Sequence, residues 1–214
     1  MRRFLDVNNP VMRVLTMICD LLFLSVLWIV FSLPVITMGA ASVALYTSTY
    51  RYVRKNEDYL WHSFWTAFRE NFMRSTLCWL VALGIFALLI LDALVFRTML
   101  LRGEAFGWVY YAVLVLIVLA LTWTVYLAAY GARFQGTTWD VLRFSFMLFR
   151  AHPLKMLIVL AMVLAAIALA LTLPAMVAFI PATVFYSASF PIESVFYQHM
   201  RPEDRERIQK ENEA

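Results

Sequence analysis

Charge, glycine and cysteine are all scarce in this sequence. Only 15% of its 214 residues are charged and 63% are hydrophobic, whereas a soluble domain has about 25% charged and 45–50% apolar residues. The six glycines form no phosphate-binding loop, and no nucleophile elbow or zincin helix is present. The two cysteines, Cys19 and Cys78, lack metal-site spacing, and we expect no disulfide between them. We therefore expect neither a soluble domain nor an enzyme, and no metal or cofactor.

Long apolar runs fill most of the chain instead. Several approach or exceed the ~20 residues that cross ~30 Å of hydrocarbon as a helix, and unpaired backbone cannot face lipid. The sequence therefore predicts an all-α integral membrane protein, a single domain with six transmembrane helices and two interfacial amphipathic helices at the cytoplasmic face. We predict spans at about 11–33, 37–53, 75–96, 108–132, 153–173 and 174–197, interfacial helices at about 58–73 and 138–151, and a charged tail over 201–214.

The distribution of lysine and arginine predicts the orientation. With the N-terminus inside, sixteen of the eighteen fall on the cytoplasmic side, and only Arg97 and Arg102 face out. Because positive residues are retained in the cytoplasm, we expect both termini there. The net charge of +4 is spread over several loops, so we expect the lipid bilayer, and not a nucleic acid, as the partner of the chain.

A proline-containing corner joins the first two spans. Pro34 lacks an N–H and should end the first helix, Thr37 should cap the second, and Gly39 allows a close backbone approach. Pro174 should open the last span in the same way, and Pro181 should interrupt the hydrogen bonds of that span. The second span is short and rich in small residues, which predicts a place inside the bundle. A re-entrant hairpin is the alternative.

One acidic residue lies within the first span. A lone carboxylate at Asp20 is costly in lipid and should face the bundle interior or water. Tyr46, Thr49 and Tyr50 on the second span and Glu193 on the sixth should lie at similar depth. We expect at least two of them to approach Asp20, so that spans one, two and six surround a polar site. A structural hydrogen bond to a neighbouring hydroxyl is the simpler alternative.

Two aromatic segments at the cytoplasmic face are the other candidate site. Their aromatic residues recur at three- and four-residue steps, as in a helix lying in the membrane interface. They could anchor the chain or dock a partner. The candidate docking residues are Trp61, Trp65, Phe68, Arg69, Trp139, Phe146 and Arg150.

The corner resembles the signature of the YesL family of small bacterial multi-pass membrane proteins, a domain of unknown function. The likeness lies in residues 33–40 (Leu-Pro-Val-Ile-Thr-Met-Gly-Ala), in 44–46 (Ala-Leu-Tyr) and in the aromatic segment 63–72. The resemblance implies the bacterial cytoplasmic membrane and a role in carbohydrate uptake, beside a transporter subunit or its ATPase. It brings no established activity and no catalytic residue. We therefore expect a non-enzymatic accessory protein; a small solute carrier or channel built around Asp20 is the alternative.

Overall fold

The chain is helical wherever its structure is described. The computed structural model describes residues 10–55, 59–134 and 136–199, and the predicted charged tail lies outside them. In these ranges there are seven α-helices and no strand. The helices are α1 Pro10–Ser32, α2 Met38–Lys55, α3 Leu60–Leu101, α4 Val109–Arg133, α5 Thr138–Ala151, α6 Pro153–Thr172 and α7 Ile180–His199.

Most helix ends lie where prolines and polar residues predict them. The helices α1, α2, α4, α5 and α6 begin and end within two residues of the predicted bounds. The last helix starts later than predicted, at Ile180, because Pro174–Ala178 forms a separate 3-10 helix. The all-helical class is confirmed, whereas six transmembrane helices are not.

The predicted interfacial helix over 58–73 does not exist as a separate element. It continues into the third predicted span as α3, one helix of 42 residues, which is about 63 Å long. The prediction of a break near Arg74 was wrong because nothing there stops a helix: α3 contains no proline, and its one glycine is Gly84. Since ~30 Å suffices to cross hydrocarbon, part of α3 lies outside it.

The helices α2 and α4 lie beside successive halves of α3. Gly39, at the start of α2, packs against Ser75 and Trp79, and Arg51 near its end reaches Ser63. The helix α4 runs beside the second half of α3, from the Leu100 contact of Gly107 to a hydrogen bond between Arg74 and Gly131. Trp79, which contacts Gly39 at the corner, precedes Leu101 by 22 residues. The corner therefore lies about 33 Å from Leu101, measured along α3.

The centre of the fold is α2. It contacts α1, α3, α4 and α7, and the small side chains Ala40, Ala41 and Ala44 on it are fully buried. Small residues let neighbouring helices approach closely. The predicted place of this segment inside the bundle is confirmed.

The outer helices present apolar side chains to their surroundings. Four of the described helices, α1, α3, α4 and α6, are long and apolar enough to cross a membrane. Leu88 and Leu91 on α3 and Leu171 on α6 are among many exposed large apolar residues. Such a surface is unfavourable in water and suits lipid. The protein is a helical membrane protein.

Candidate functional site

Four side chains form a buried polar cluster near the C-terminal ends of α2, α4 and α7. The Tyr46 hydroxyl donates a hydrogen bond to Glu193 Oε1 over 3.0 Å. Arg133 Nε lies 3.1 Å from the same oxygen, and the Arg133 guanidinium carbon is 4.0 Å from the centre of the Tyr50 ring. The cluster therefore joins one acid, one base and two tyrosines from three helices.

The two charges of the cluster neutralise each other, although Arg133 Nε, 3.1 Å from Glu193 Oε1, lacks hydrogen-bond geometry. The side chain of Glu193 is 6% exposed and that of Arg133 is 17% exposed, so water screens the pair only weakly. A buried carboxylate is stable only when it is paired and hydrogen-bonded, and Arg133 and Tyr46 provide both interactions. The contact of Arg133 with Tyr50 adds a cation–π attraction. This arrangement is suited to holding three helices together.

The centre of this cluster differs from the sequence-based prediction. Tyr46, Tyr50 and Glu193 do come together, but around Arg133 on α4, and Asp20 makes no hydrogen bond or ion pair with any described residue. Asp20 lies partly exposed beside the buried Leu21 of α1. Arg133 neutralises Glu193, whereas a second carboxylate close by would repel it. The prediction that Asp20 centres the site is therefore not confirmed.

Thr49 is buried but belongs to its own helix. Its hydroxyl donates to the carbonyls of Leu45 and Tyr46 at 3.0 and 2.9 Å. Thr49 is fully buried, but backbone carbonyls of its own helix accept its only hydroxyl proton. Thr49 therefore contributes packing beside the cluster and no free donor.

Sequence reasoning overlooked Arg133 because it counted this residue only as a cytoplasmic charge. The available signal was Glu193, an acid inside an apolar helix, which requires a cation nearby. Arg133 is the last residue of α4, where a cation is also favoured by the helix dipole. Which helix supplies the cation depends on tertiary packing.

A second overlooked arginine closes the end of α4. Arg74 donates to the carbonyls of Gly131 and Phe134 at 2.6 and 3.0 Å and to the Asn71 side chain at 2.6 Å. The last carbonyls of a helix lack partners within it, and a guanidinium from a neighbouring helix satisfies them. Arg74 therefore fixes the end of α4 to α3.

The corner is held by hydrogen bonds and by a close helix contact. The Thr37 hydroxyl donates to the carbonyls of Phe31 and Pro34 at 2.6 and 2.8 Å. Thr37 is the last residue of the 3-10 helix Val35–Thr37 and stabilises the corner through these two bonds. The prediction that Thr37 caps α2 was wrong, because its hydroxyl bonds to residues before α2. Trp79 Nε1 donates to the Val35 carbonyl over 2.7 Å.

Gly39 has the role that the sequence predicts for it. A Cβ at this position would lie 2.7 Å from the Ser75 carbonyl oxygen and would also meet the Trp79 side chain. The close approach of α2 to α3 therefore requires a residue without a side chain.

The two prolines near the last helix act at its start. Pro174 begins the 3-10 helix Pro174–Ala178, and Pro181 is the second residue of α7. Proline is tolerated in the first turn, where its missing N–H has no helical partner. The expectation that Pro181 interrupts the hydrogen bonds of the last helix was wrong, because α7 begins at Ile180.

The first aromatic face lies at the start of α3. Trp61 and Trp65 are exposed, their rings stack in parallel with centroids 6.1 Å apart, and the guanidinium of Arg69 lies 6.0 Å from the Trp65 ring. Phe68 is buried beneath Phe31 at 5.0 Å between ring centroids. Phe68 is therefore a core residue and was wrongly predicted to be available for docking.

The second aromatic face is the outer side of α5. Trp139 is 71% exposed, and Phe146 is exposed beside Arg150, whose guanidinium lies 6.0 Å from its ring. Val141 and Ser145 on the opposite side are buried. The helix is thus attached by one side and presents aromatic and basic groups on the other.

The start of α5 is fixed by a capping box. The cap is Thr137, whose hydroxyl accepts from the Asp140 N–H at 3.3 Å. The N–H and hydroxyl of Thr137 in turn donate to Asp140 Oδ2 at 3.0 and 2.6 Å. These bonds favour the ionised acid and hold the pKa of Asp140 below its usual value.

One family matches part of the chain. Residues 21–93 match a family described as a protein of unknown function, DUF624. The YesL family is one of this group, so the resemblance drawn from the corner is confirmed in part. The match covers α2, the corner and most of α3. No curated protein and no solved structure matches the chain.

Proposed function

We propose that this chain is a non-enzymatic accessory protein of the bacterial cytoplasmic membrane that acts with a carbohydrate-uptake system. The carbohydrate link rests on the resemblance of the corner to the YesL family. The observation that carries a binding role is the exposure of tryptophan on α3 and α5, with Arg69 beside Trp65 on α3 and Arg150 beside Phe146 on α5. Protein interfaces are enriched in tryptophan and arginine. A transporter subunit or its ATPase is the proposed partner.

Exposed aromatic faces can also rest on lipid headgroups, so the test must separate docking from anchoring. Trp139→Ala removes the most exposed tryptophan of α5, and Trp108→Ala removes an equally available one, 65% exposed, beside the 102–108 turn. Each tagged variant is crosslinked in native membranes and purified in mild detergent. We expect the wild type and Trp108→Ala to retain a carbohydrate-permease or ATPase subunit, and Trp139→Ala to lose it.

The Trp108→Ala variant serves as the control, because a chain with four described helices long enough to cross a membrane stays in the membrane fraction with or without anchoring by α5. If Trp139→Ala loses the subunit while Trp108→Ala retains it, α5 docks a protein. If no carbohydrate-transport subunit is recovered with the wild type after crosslinking, the accessory role is rejected. The carrier alternative has no comparable support, since Asp20 has no described polar partner.

We also propose that the arginine-rich end of the bundle lies in the cytoplasm and the 102–108 turn outside. Arg74 and Arg133 both lie at the end of α4, Arg74 bound to the Phe134 carbonyl and Arg133 as the last helical residue. Arg97 lies 23 residues, about 35 Å, further along α3 than Arg74. The positive-inside rule assigns the first end to the cytoplasm. The corner beside Trp79 then lies near the cytoplasmic boundary, which favours a re-entrant α2 over a full crossing. A crossing α1 would then begin outside, which departs from the expected cytoplasmic N-terminus.

Cysteine labelling in cells tests this topology. In a chain without Cys19 and Cys78, Ile36→Cys and Phe106→Cys place single thiols at exposed positions on the corner and on the outer turn. A membrane-impermeant maleimide should label the Phe106→Cys variant in intact cells and the Ile36→Cys variant only after permeabilisation. Labelling of both in intact cells would support six full spans and reject the re-entrant α2.

A further inference from the structure

A cavity of about 360 Å³ lies between α2, α3, α4, α6 and α7. Its walls are almost entirely apolar. They include Val43, Val125, Val163, Ile167, Val184 and Phe185. Ligand sites in proteins typically have this size and this mainly apolar lining with a few polar groups.

One polar group in the wall of the cavity, the Ser75 hydroxyl of α3, is available for a ligand. Ser75 lines the cavity next to Arg74, is 5% exposed, and its hydroxyl has no hydrogen-bond partner among the described residues. Two other wall hydroxyls are engaged: Ser42 donates to Met38 and Thr124 to Leu121. A buried hydroxyl without a partner is costly, so a ligand oxygen at Ser75 would remove this cost.

The volume and the polarity together identify the kind of ligand. An apolar cavity of about 150 Å³ holds one benzene molecule, so about 360 Å³ has room for roughly 14 carbon atoms, which is most of a palmitoyl chain. The ligand is apolar over most of its length and carries an oxygen at one end. We propose that this cavity binds one fatty acyl chain, with its carbonyl or carboxyl oxygen accepting a hydrogen bond from Ser75.

Photolabelling of the full chain in lipid nanodiscs tests this proposal. The probes are palmitic acid carrying a diazirine and a phosphatidylcholine carrying the same diazirine in one acyl chain. We expect label on residues 74–79, 121–131 and 163–170, which excess palmitic acid competes away. Label on the exposed side of 85–95, which contacts bulk lipid, should not be competed. The lipid-facing label is thus an internal control.

A matched pair on α6 gives the decisive comparison. Ala166 lines the cavity, whereas Ala168 is exposed and does not. Each methylene excluded from a site weakens binding about fourfold, so Ala166→Phe should reduce the competable label more than tenfold, and Ala168→Phe should leave it unchanged. Ser75→Ala, a smaller change, should weaken binding of the free acid about fivefold by removing one hydrogen bond.

The outcomes separate the sources of the chain and can reject the proposal. Competable label from the free acid alone identifies a fatty acid, and label from phosphatidylcholine alone identifies a membrane lipid. Equal competable label in the Ala166→Phe and Ala168→Phe variants overturns the proposal. So does wild-type label that neither excess palmitic acid nor excess phosphatidylcholine competes away, a result that does not depend on any variant folding. None of these outcomes bears on partner docking at α5.

Discussion

Replacing Glu193 with glutamine should destabilise the protein strongly, because it leaves Arg133 buried without a counter-ion. Removal of one partner from a buried ion pair costs about 3–5 kcal/mol. The 17% exposure of the Arg133 side chain allows partial hydration and favours the lower end of that range. The hydrogen bond from Tyr46 survives on the amide oxygen, but weakens by about 1 kcal/mol because the acceptor is no longer charged. We therefore expect a loss of about 3 kcal/mol.

Thermal unfolding followed by tryptophan fluorescence in one detergent at pH 7 measures this loss. For a chain of this size, 1 kcal/mol corresponds to about 2–4 °C in Tm, so Glu193→Gln should lower Tm by about 6–12 °C. The matched control is Glu70→Gln, which makes the same chemical change at an exposed position of α3. A control shift within about 2 °C is expected, since exposed charges contribute little.

The double variant Arg133→Met, Glu193→Gln tests the cause. If the unpaired arginine is responsible for the loss, removing it as well should recover part of the stability, so the double variant should unfold at a higher temperature than Glu193→Gln. The reasoning is refuted if Glu193→Gln unfolds within about 2 °C of the wild type. It is also refuted if adding Arg133→Met to Glu193→Gln lowers Tm by as much as Arg133→Met lowers it in the wild type.

Four further predictions concern other residues. Gly39→Ala should destabilise the protein by about 1–3 kcal/mol through overpacking against Ser75 and Trp79. The control Gly84→Ala, with nothing within 4 Å of its new Cβ, should be neutral or slightly stabilising. Equal losses of stability in the same thermal assay would contradict the close contact at Gly39. Thr137→Ala should cost about 1 kcal/mol by removing the cap of α5. The pKa of Asp140 is lowered in the folded state, so its contribution is present above the unfolded value of about 3.9 and is lost as the pH falls through the folded pKa. Asp140→Asn should therefore be less stable than the wild type at pH 7, and the difference should shrink as the pH falls below the unfolded value. A difference that stays constant with falling pH would exclude this linkage. Asp20→Asn should lower Tm by less than Glu193→Gln, and an equal loss would indicate a buried partner for Asp20.

Helix identity and most helix ends were predictable because they depend on local chemistry. Pro34 ends α1 through its missing N–H, and Pro153 begins α6 in the first turn, where that N–H is not needed. The break expected near Arg74 was wrong for a related reason: a change from amphipathic to fully apolar composition looks like a boundary, but it does not stop a helix. The segment 60–101 contains no residue that does.

The sequence by itself determined that this is a helical membrane protein, since the length and apolarity of its runs leave no other way to satisfy the backbone in lipid. It also indicated the close backbone approach at Gly39. Glu193, an acid inside an apolar helix, was the available signal for a nearby cation, although it was predicted to approach Asp20. Only the tertiary structure decided that Arg133 is that cation, that Phe68 is buried, and that α2 lies beside the first half of α3. These facts depend on which helix faces meet, and helices with similar apolar surfaces differ too little in local preference for sequence alone to select their neighbours.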